Sequence, residues 1–425
     1  MTEPVSLHHT KIAAFGSTVV PLLALAIFIN YVDRGNLATA APLIKDQLRL
    51  SNTQIGLLLS AFFWSYVPGQ LLAGWLAEHF NPYRTLGVGV AIWSISTAAS
   101  GLATGFISLI ALRILLGLGE SAAYPCISKL LAQHLALNRL GAANGLIMSG
   151  QALGPAFGTF VGGMLIAHFG WRSVFVLFGL ASLLWLLPWY LSTRRDSVSL
   201  CATPREPATS FASILRRQEI WGASLGQFCT AYAFFFLISW LPLYLVKGRG
   251  LSVEQMAKLG GLIYMVYAVS SLSVGWLADR WIRAGASVNR ARKTVMIMGL
   301  LVMAGSLAAA AVGNLLASVI ALFCAGVAFG TLPNQFAIGQ TLAGRRNAGK
   351  WIGIQNSLGN SAGIIAPVIT GLIVDRTGQY YWAFVVAACV VAGGIIGWGL
   401  IIKTVAPLIW DEVADRRNEI AAITG

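Results

Sequence analysis

Gly74-Trp75-Leu76-Ala77-Glu78 closes one apolar run of this chain, and Gly275-Trp276-Leu277-Ala278-Asp279 closes another 201 residues later. At the same offset Tyr66 meets Tyr267. A second register, offset by 208, matches Gly141 with Gly349, Gly145 with Gly353, Ser149 with Ser357, Gly163 with Gly371 and Gly170 with Gly378. Two registers so nearly the same distance apart mark a duplicated unit about half the chain long.

The unit is built from apolar runs. Of 425 residues, 57% are hydrophobic and only 10% charged, whereas soluble proteins carry about a quarter charged residues. So small a supply cannot coat a surface facing water. About 20 apolar residues in a helix cross the ~30 Å hydrocarbon core of a bilayer. Spans are expected at 19–41, 54–77, 85–103, 105–130, 140–167, 171–191, 219–245, 255–281, 292–312, 315–340, 347–373 and 380–403. The long polar break, 192–218, is rich in Ser, Pro and Arg and lacks an apolar period. It is expected to be a cytoplasmic linker between an N-terminal six-helix bundle (1–191) and a C-terminal one (219–425). The expected fold is therefore an all-α membrane protein, with twelve transmembrane helices in two six-helix bundles around a central cavity. Duplicated helix bundles that rock about a midplane site are a transporter architecture.

Charge sets the orientation. The formal net charge is +14, and with the N-terminus inside, the even-numbered connections and both tails carry 20 of the 29 basic residues. The opposite side carries seven, and Arg34 and Arg113 lie within spans. Cytoplasmic loops carry the Lys/Arg excess of membrane proteins, so both termini are expected in the cytoplasm. The basic excess then reads as topology and contact with lipid headgroups, not as a nucleic-acid surface. The opening MTEPVSLHHTKIAAFGS lacks the order of a cleavable signal, so the first apolar run is expected to remain as a span.

Cys126, Cys201, Cys229, Cys324 and Cys389 show no metal-ligand spacing and read as small buried hydrophobes. Trp171, Trp240, Trp276, Trp281 and Trp382 fall near span ends, as an interfacial belt does. GxSxG, HExxH and P-loop patterns are absent, and the five histidines lie at tails or span ends. An enzyme would need a concentrated nucleophile–base or metal set, so neither catalysis nor a bound cofactor or metal is expected.

Four charges lie where charges are expensive. Of 15 acidic residues only Asp33 and Glu120 fall deep inside a span, and of the basic ones only Arg34 and Arg113. A charge in the bilayer core costs at least ~2.5 kcal/mol, so these side chains should face a protein cavity and pair there. Arg113 and Glu120, seven apart, share one face of span four, ~10 Å apart along the axis. Asp33 and Arg34 are ~100° apart on span one, with Tyr31 on the Arg34 face and Asn36 on the Asp33 face. One reading gives them separate jobs. Arg34 holds a substrate carboxylate, because a guanidinium offers a bidentate fork and stays charged. Asp33 and Glu120 carry protons, because burial favours the neutral carboxylic acid and a neighbouring arginine the ionised form. Arg113 sits between them as a switchable partner. The competing reading is a static ion quartet that orients two helices.

Other polar residues inside spans are Tyr66, Gln151, Gln227, Tyr232, Tyr264, Tyr267, Gln355, Asn356 and Asn360. They are candidates to line the cavity and hold substrate hydroxyls, or to join helices by hydrogen bonds. Gly150, Gly154, Gly158 and Gly162 of span five are small residues at i+4 spacing, expected to allow close helix contact and then a sliding gate.

These stretches resemble a known family. Gly74-Trp-Leu-Ala-Glu-His-Phe-Asn-Pro-Tyr-Arg84 is similar to the signature between helices two and three of the major facilitator superfamily. It departs at His79, where arginine is usual, while Gly74, Glu78 and Arg84 remain, and the second copy keeps Asp279 and Arg280. Asn30-Tyr-Val-Asp-Arg-Gly-Asn-Leu-Ala-Thr-Ala-Ala-Pro42 and Arg113-Ile-Leu-Leu-Gly-Leu-Gly-Glu-Ser-Ala-Ala-Tyr-Pro125 resemble helices one and four of its anion:cation symporter family. That family includes bacterial hexonate, hexarate and aromatic-acid permeases and the animal sialic-acid and vesicular glutamate carriers.

The resemblance implies that Arg34 binds the substrate carboxylate and that Asp33, Glu120 and Arg113 handle proton coupling. It implies cavity-lining roles for Tyr31, Tyr66, Gln151, Asn356 and Asn360, to which the residue reading adds Tyr232 and Tyr267. Gly74, Glu78, Arg84, Asp279 and Arg280 would form the gate. Protons are the expected coupling ion, a small organic anion and membrane lipids the expected partners, a monomer the working unit, and a bacterial inner membrane the location. The expected function is proton symport of an organic carboxylate into the cytoplasm, a sugar acid ahead of an aromatic acid. Exchange, facilitated flow and export by the same fold remain the alternatives.

Overall fold

The computed structural model describes residues 15–50, 52–202, 209–251 and 253–410. Nearly all of that backbone is helical, and no strand occurs among the described residues. Span one is Val20–Gln47, span two Asn52–His79 and span three Pro82–Ser100. Span four is broken, Phe106–Glu120 followed by Ala123–His134. Spans five and six lie in one helical stretch, Leu140–Leu184, bent at Gly170, and Leu186–Ala202 prolongs span six. Gln218–Leu243 with Tyr244–Gly248 is span seven, Val253–Arg283 span eight and Val288–Val312 span nine. Span ten runs from Leu315–Ala328 into Leu332–Asn360, which bends at Gly344 into span eleven. Ala362–Thr377 completes span eleven, and Tyr381–Ile395 with Ile396–Ile401 is span twelve.

The duplication is visible in the bends. Gly170 after span five has φ +74° and Gly378 after span eleven φ +69°, which is the left-handed region that favours glycine. Their match in the sequence is a match of turns. The short loops after spans two and eight likewise end on capping side chains. Asn81 accepts from the N–H groups of Tyr83 and Arg84, and Ser287 from that of Arg290.

Large apolar side chains cover the outside: Ile107 is 76% exposed and Leu400 71%. In water such a surface would aggregate; in a bilayer lipid covers it. Among the described residues, eight helical stretches are long and apolar enough to span a membrane, one of them, Leu315–Val374, covering two spans. Spans two, three and five bury polar side chains, among them Gln70, Ser94, Thr97 and Gln151. The glycines of span five lie against span one: a Cβ at Gly154 or Gly158 would meet the carbonyl oxygens of Phe28 and Val32 at 2.7 and 2.8 Å.

The stretch 192–218 is helical to Ala202 and again at Phe211–Leu215; extending an existing helix needs no new nucleus, so a polar sequence continues it readily. Two expectations need correction. Cys126 and Cys229 are buried, but Cys324 and Cys389 are exposed on the outer face, where lipid accepts a small apolar group; the Cys201 side chain lies outside the described residues. Trp171 is buried rather than interfacial, its Nε1 donating to Gln47 Oε1 at 2.6 Å.

Candidate functional site

Span one carries the centre of charge. Asp33 is buried and Arg34 half-buried, and their ~100° separation sends them to different neighbours. Arg34 Nε donates to Glu120 Oε2 at 2.9 Å. The guanidinium lies inside three rings, its Cζ 4.5 Å from the centroids of Tyr31 and Phe62 and 4.7 Å from that of Tyr66. Cation–π contact contributes about 2 kcal/mol when desolvated, so the box holds Arg34 even when its carboxylate partner changes. Arg34 Nη2 is buried without a hydrogen-bond partner among the described residues. Glu120 is fully buried at the end of its helix, where the break in span four turns its carboxylate to span one.

Asp33 and Arg113 arrange themselves differently from the expected quartet. Thr97 Oγ1 donates to Asp33 Oδ2 at 3.2 Å, and Asp33 Oδ1 has no partner among the described residues. Arg113, also buried, forms no ion pair there, and its Cζ lies 6.0 Å from the Phe175 ring centroid. Arg113 therefore does not bridge the two acids in this conformation: Glu120 Oε2 accepts from Arg34, and Oε1 has no partner among the described residues.

The other candidates fall into groups. Tyr31 and Tyr66 belong to the arginine box. Tyr124 donates its hydroxyl proton to Gln151 Oε1 and stacks on Phe336 of the other half, centroids 5.1 Å apart. Gln227 Nε2 donates to Asn356 Oδ1 at 2.5 Å. Tyr267 and Tyr232 are buried in the C-terminal half and Asn360 is half-buried. None of these three touches the charge centre among the described residues.

The two halves are sealed at the end nearest the linker by a pair of matching latches. Glu78 accepts from the N–H groups of Gly349 at 2.7 Å and Lys350 at 3.3 Å, and Lys129 forms an ion pair with it. Asp279 accepts from the N–H groups of Gly141 at 3.1 Å and Ala142 at 2.7 Å, and from Arg292 Nη2 at 2.6 Å. Each acid reaches into the opposite half, to positions 208 residues apart in the repeat. Glycines make the approach possible: a Cβ at Gly74 would sit 2.8 Å from the Gly349 carbonyl oxygen, and one at Gly275 would collide with that of Gly141. Arg84 and Arg280 are not part of either latch. Both are exposed, and Arg280 lies over the Trp276 ring at 5.3 Å. One residue past Asp279 on the helix, Arg280 is turned ~100° outward.

A groove of about 820 Å³ opens between spans two, three and four. Leu72, Phe80 and Val88 on its walls are exposed, so it faces the membrane, and neither Arg34, Asp33 nor Glu120 lines it.

The sequence pattern described as Major Facilitator Superfamily matches residues 23–367 and again 284–422. The chain is a member of the Major Facilitator Superfamily. Among its relatives, the hexuronate transporter of Bacillus subtilis (strain 168) is 32% identical over 408 residues, 92% of this chain and 95% of that protein. A probable sulfoacetate transporter of Cupriavidus necator is 30% identical over 422 residues, 94% of this chain and 96% of that protein. A crystal structure of the superfamily transporter FucP in the outward conformation superimposes with a TM-score of 0.68 at 16% identity, covering 91% of this chain and 99% of that one. Membership makes this chain a membrane transporter and not an enzyme.

Several residues that contact the charge centre or the latches were not among the candidates. Phe62 and Thr97 complete the surroundings of Arg34 and Asp33, and Tyr124 holds Gln151. Lys129 and Arg292, the basic members of the latches, read in the sequence as topology charges. Phe62 lies one helical turn before Tyr66, a signal available without coordinates. Lys129 and Arg292 have no such signal, since their partners lie on other helices.

Proposed function

We propose that this transporter carries out proton-coupled uptake of a small organic carboxylate, a sugar acid in preference to an aromatic acid. It would act as a monomer in a bacterial inner membrane, with both termini in the cytoplasm. The observation that carries this reading is the Arg34–Glu120 contact at 2.9 Å inside a ring of three aromatics. A guanidinium whose charge is compensated by an internal carboxylate attracts an external one less. When a proton neutralises Glu120, the Arg34 fork becomes free for the carboxylate of the substrate.

The net charge of the centre is then the same before and after loading, because the incoming anion and the incoming proton cancel. That conservation matters in a medium where an uncompensated charge is costly. Asp33, with one oxygen on Thr97 and the other unpartnered, is the second proton site in this reading, and Arg113 its switchable neighbour. Relatives named for hexuronate and sulfoacetate support a small organic anion. The Tyr31 and Tyr66 side chains around Arg34, with Gln151 on Tyr124, favour a hydroxylated one.

The test is reconstitution in liposomes with a panel of carboxylates, following proton entry, with Arg34→Ala and Glu120→Gln as controls. The reading requires one acid that drives protons inward, with the signal lost in both variants. Exchange of labelled acid without proton movement would replace symport by exchange and remove the coupling role of Glu120 and Asp33.

A further inference from the structure

A chain of four buried side chains crosses from span eleven to span seven and back. Trp351 Nε1 donates to Gln355 Oε1 at 2.9 Å, Gln355 Nε2 to Gln227 Oε1 at 2.8 Å, and Gln227 Nε2 to Asn356 Oδ1 at 2.5 Å. All four are at most 3% exposed. An amide can ordinarily be turned end for end with little change in shape, because its oxygen and nitrogen are nearly alike in size. An indole N–H cannot: it only donates. Trp351 therefore requires the oxygen of Gln355 to face it. That leaves the Gln355 nitrogen to meet the oxygen of Gln227, and the Gln227 nitrogen to meet the oxygen of Asn356. The orientation of three amides follows from one donor, and the chain ends on the Asn356 Nδ2 group, which has no partner among the described residues.

The slot is shaped for this chain. A Cβ at Gly339 would lie 2.7 Å from Gln355 Oε1, and one at Gly359 would lie 2.6 Å from Gln227 Cγ. Asn356 lies one turn beyond Gly353, whose Cβ position would meet the Gln70 carbonyl oxygen at 2.5 Å, so the chain ends beside the seam between the halves. A buried amide donor without an acceptor is costly, and a ligand oxygen at that seam would satisfy it.

We propose that Trp351, Gln355 and Gln227 are positioning residues that hold Asn356 with its amide N–H groups toward the substrate. The C-terminal half thereby offers a fixed donor to an acceptor oxygen at the end of the substrate remote from Arg34. This rests on the carboxylate-transport reading and adds a second point of selection to it.

The experiment compares uptake of gluconate and glucarate, equal in length and different only at the far end, where one carries a hydroxyl and the other a carboxylate. Asn356→Asp is isosteric and puts an acceptor where the donor was. It should shift preference away from glucarate by ~10-fold or more, since sites built to hydrogen-bond a group discriminate strongly against mismatched ones. Trp351→Phe removes the donor and frees the chain to turn, so KM for the acids should rise with maximal rate little changed and the glucarate-to-gluconate ratio should move toward one. Gln355→Met should repeat that pattern; its retained monodisperse elution in detergent separates it from misfolding. Arg34-dependent uptake with an unchanged ratio in both Asn356→Asp and Trp351→Phe overturns this inference alone. Failure of the wild type to take up any carboxylate overturns the transport reading and this inference with it.

Discussion

Arg34 holds one carboxylate edge on Glu120 and keeps Nη2 buried without a partner, and both facts bear on what substitutions do. Glu120→Gln removes the charge that competes for the guanidinium. Its expected outcome is uptake that no longer responds to an imposed pH gradient, with counterflow of labelled acid retained, measured in the same liposomes. Arg34→Lys keeps the charge but loses the fork and much of the ring contact. A charge-assisted hydrogen bond contributes about 1.5–3 kcal/mol, so the apparent affinity for the carboxylate should fall roughly ten-fold or more, read from the concentration dependence of uptake. Thr97→Val leaves Asp33 without its one hydroxyl donor. The pH dependence of uptake should move while the substrate affinity at saturating proton concentration stays near that of the wild type.

Spans two and eleven, and spans five and eight, meet backbone to backbone at glycines. A Cβ at Gly145 would lie 2.7 Å from the Ser271 carbonyl oxygen, and one at Gly353 2.5 Å from that of Gln70. Small residues at helix crossings let van der Waals contact do in lipid what hydrophobic burial does in water. Gly74→Leu or Gly275→Leu should hold these helices apart at the linker end. A cysteine in place of Ala77, which is buried against Gly349 across the closed seam, should then react with a bulky thiol reagent faster than in the otherwise unchanged protein. The i+4 glycines of span five serve a different contact, with span one, inside the same half. Substitution there should lower thermal stability in detergent rather than shift the seam.

The whole molecule is two similar bodies held at one end by two latches that the repeat relates to each other. Each latch contains a buried ion pair, Glu78 with Lys129 and Asp279 with Arg292. Removing one partner of a buried pair costs ~3–5 kcal/mol, which is enough to reverse a balance of a few kcal/mol between two orientations of the halves. Glu78→Ala should thus shift the population toward the form open at the linker end. Asp279→Ala should do the same, and the two effects should add, because the latches share no partner. Distances between spin labels placed on the two halves at that end would show the shift, and unchanged distance distributions in the double variant would refute it.

By itself the sequence determined the membrane class, the duplication and the four charges that lie deep inside spans. Each of these depends on residue type and spacing along one helix, which the 3.6-residue period makes readable. Apolar run length dictates the spans, the offset of 208 dictates the matching bends at Gly170 and Gly378, and the scarcity of charge in the middle of apolar runs singles out Asp33, Arg34, Arg113 and Glu120. Only the tertiary structure decided who pairs with whom. It placed Glu120 on Arg34 rather than Arg113, drew Lys129 and Arg292 into the latches in place of Arg84 and Arg280, and oriented Asn356 through an indole on its own helix and an amide on another. The reason is geometric: a hydrogen bond or ion pair between helices is set by their rotation and depth relative to one another, and neither quantity is encoded in the spacing of residues along either helix alone.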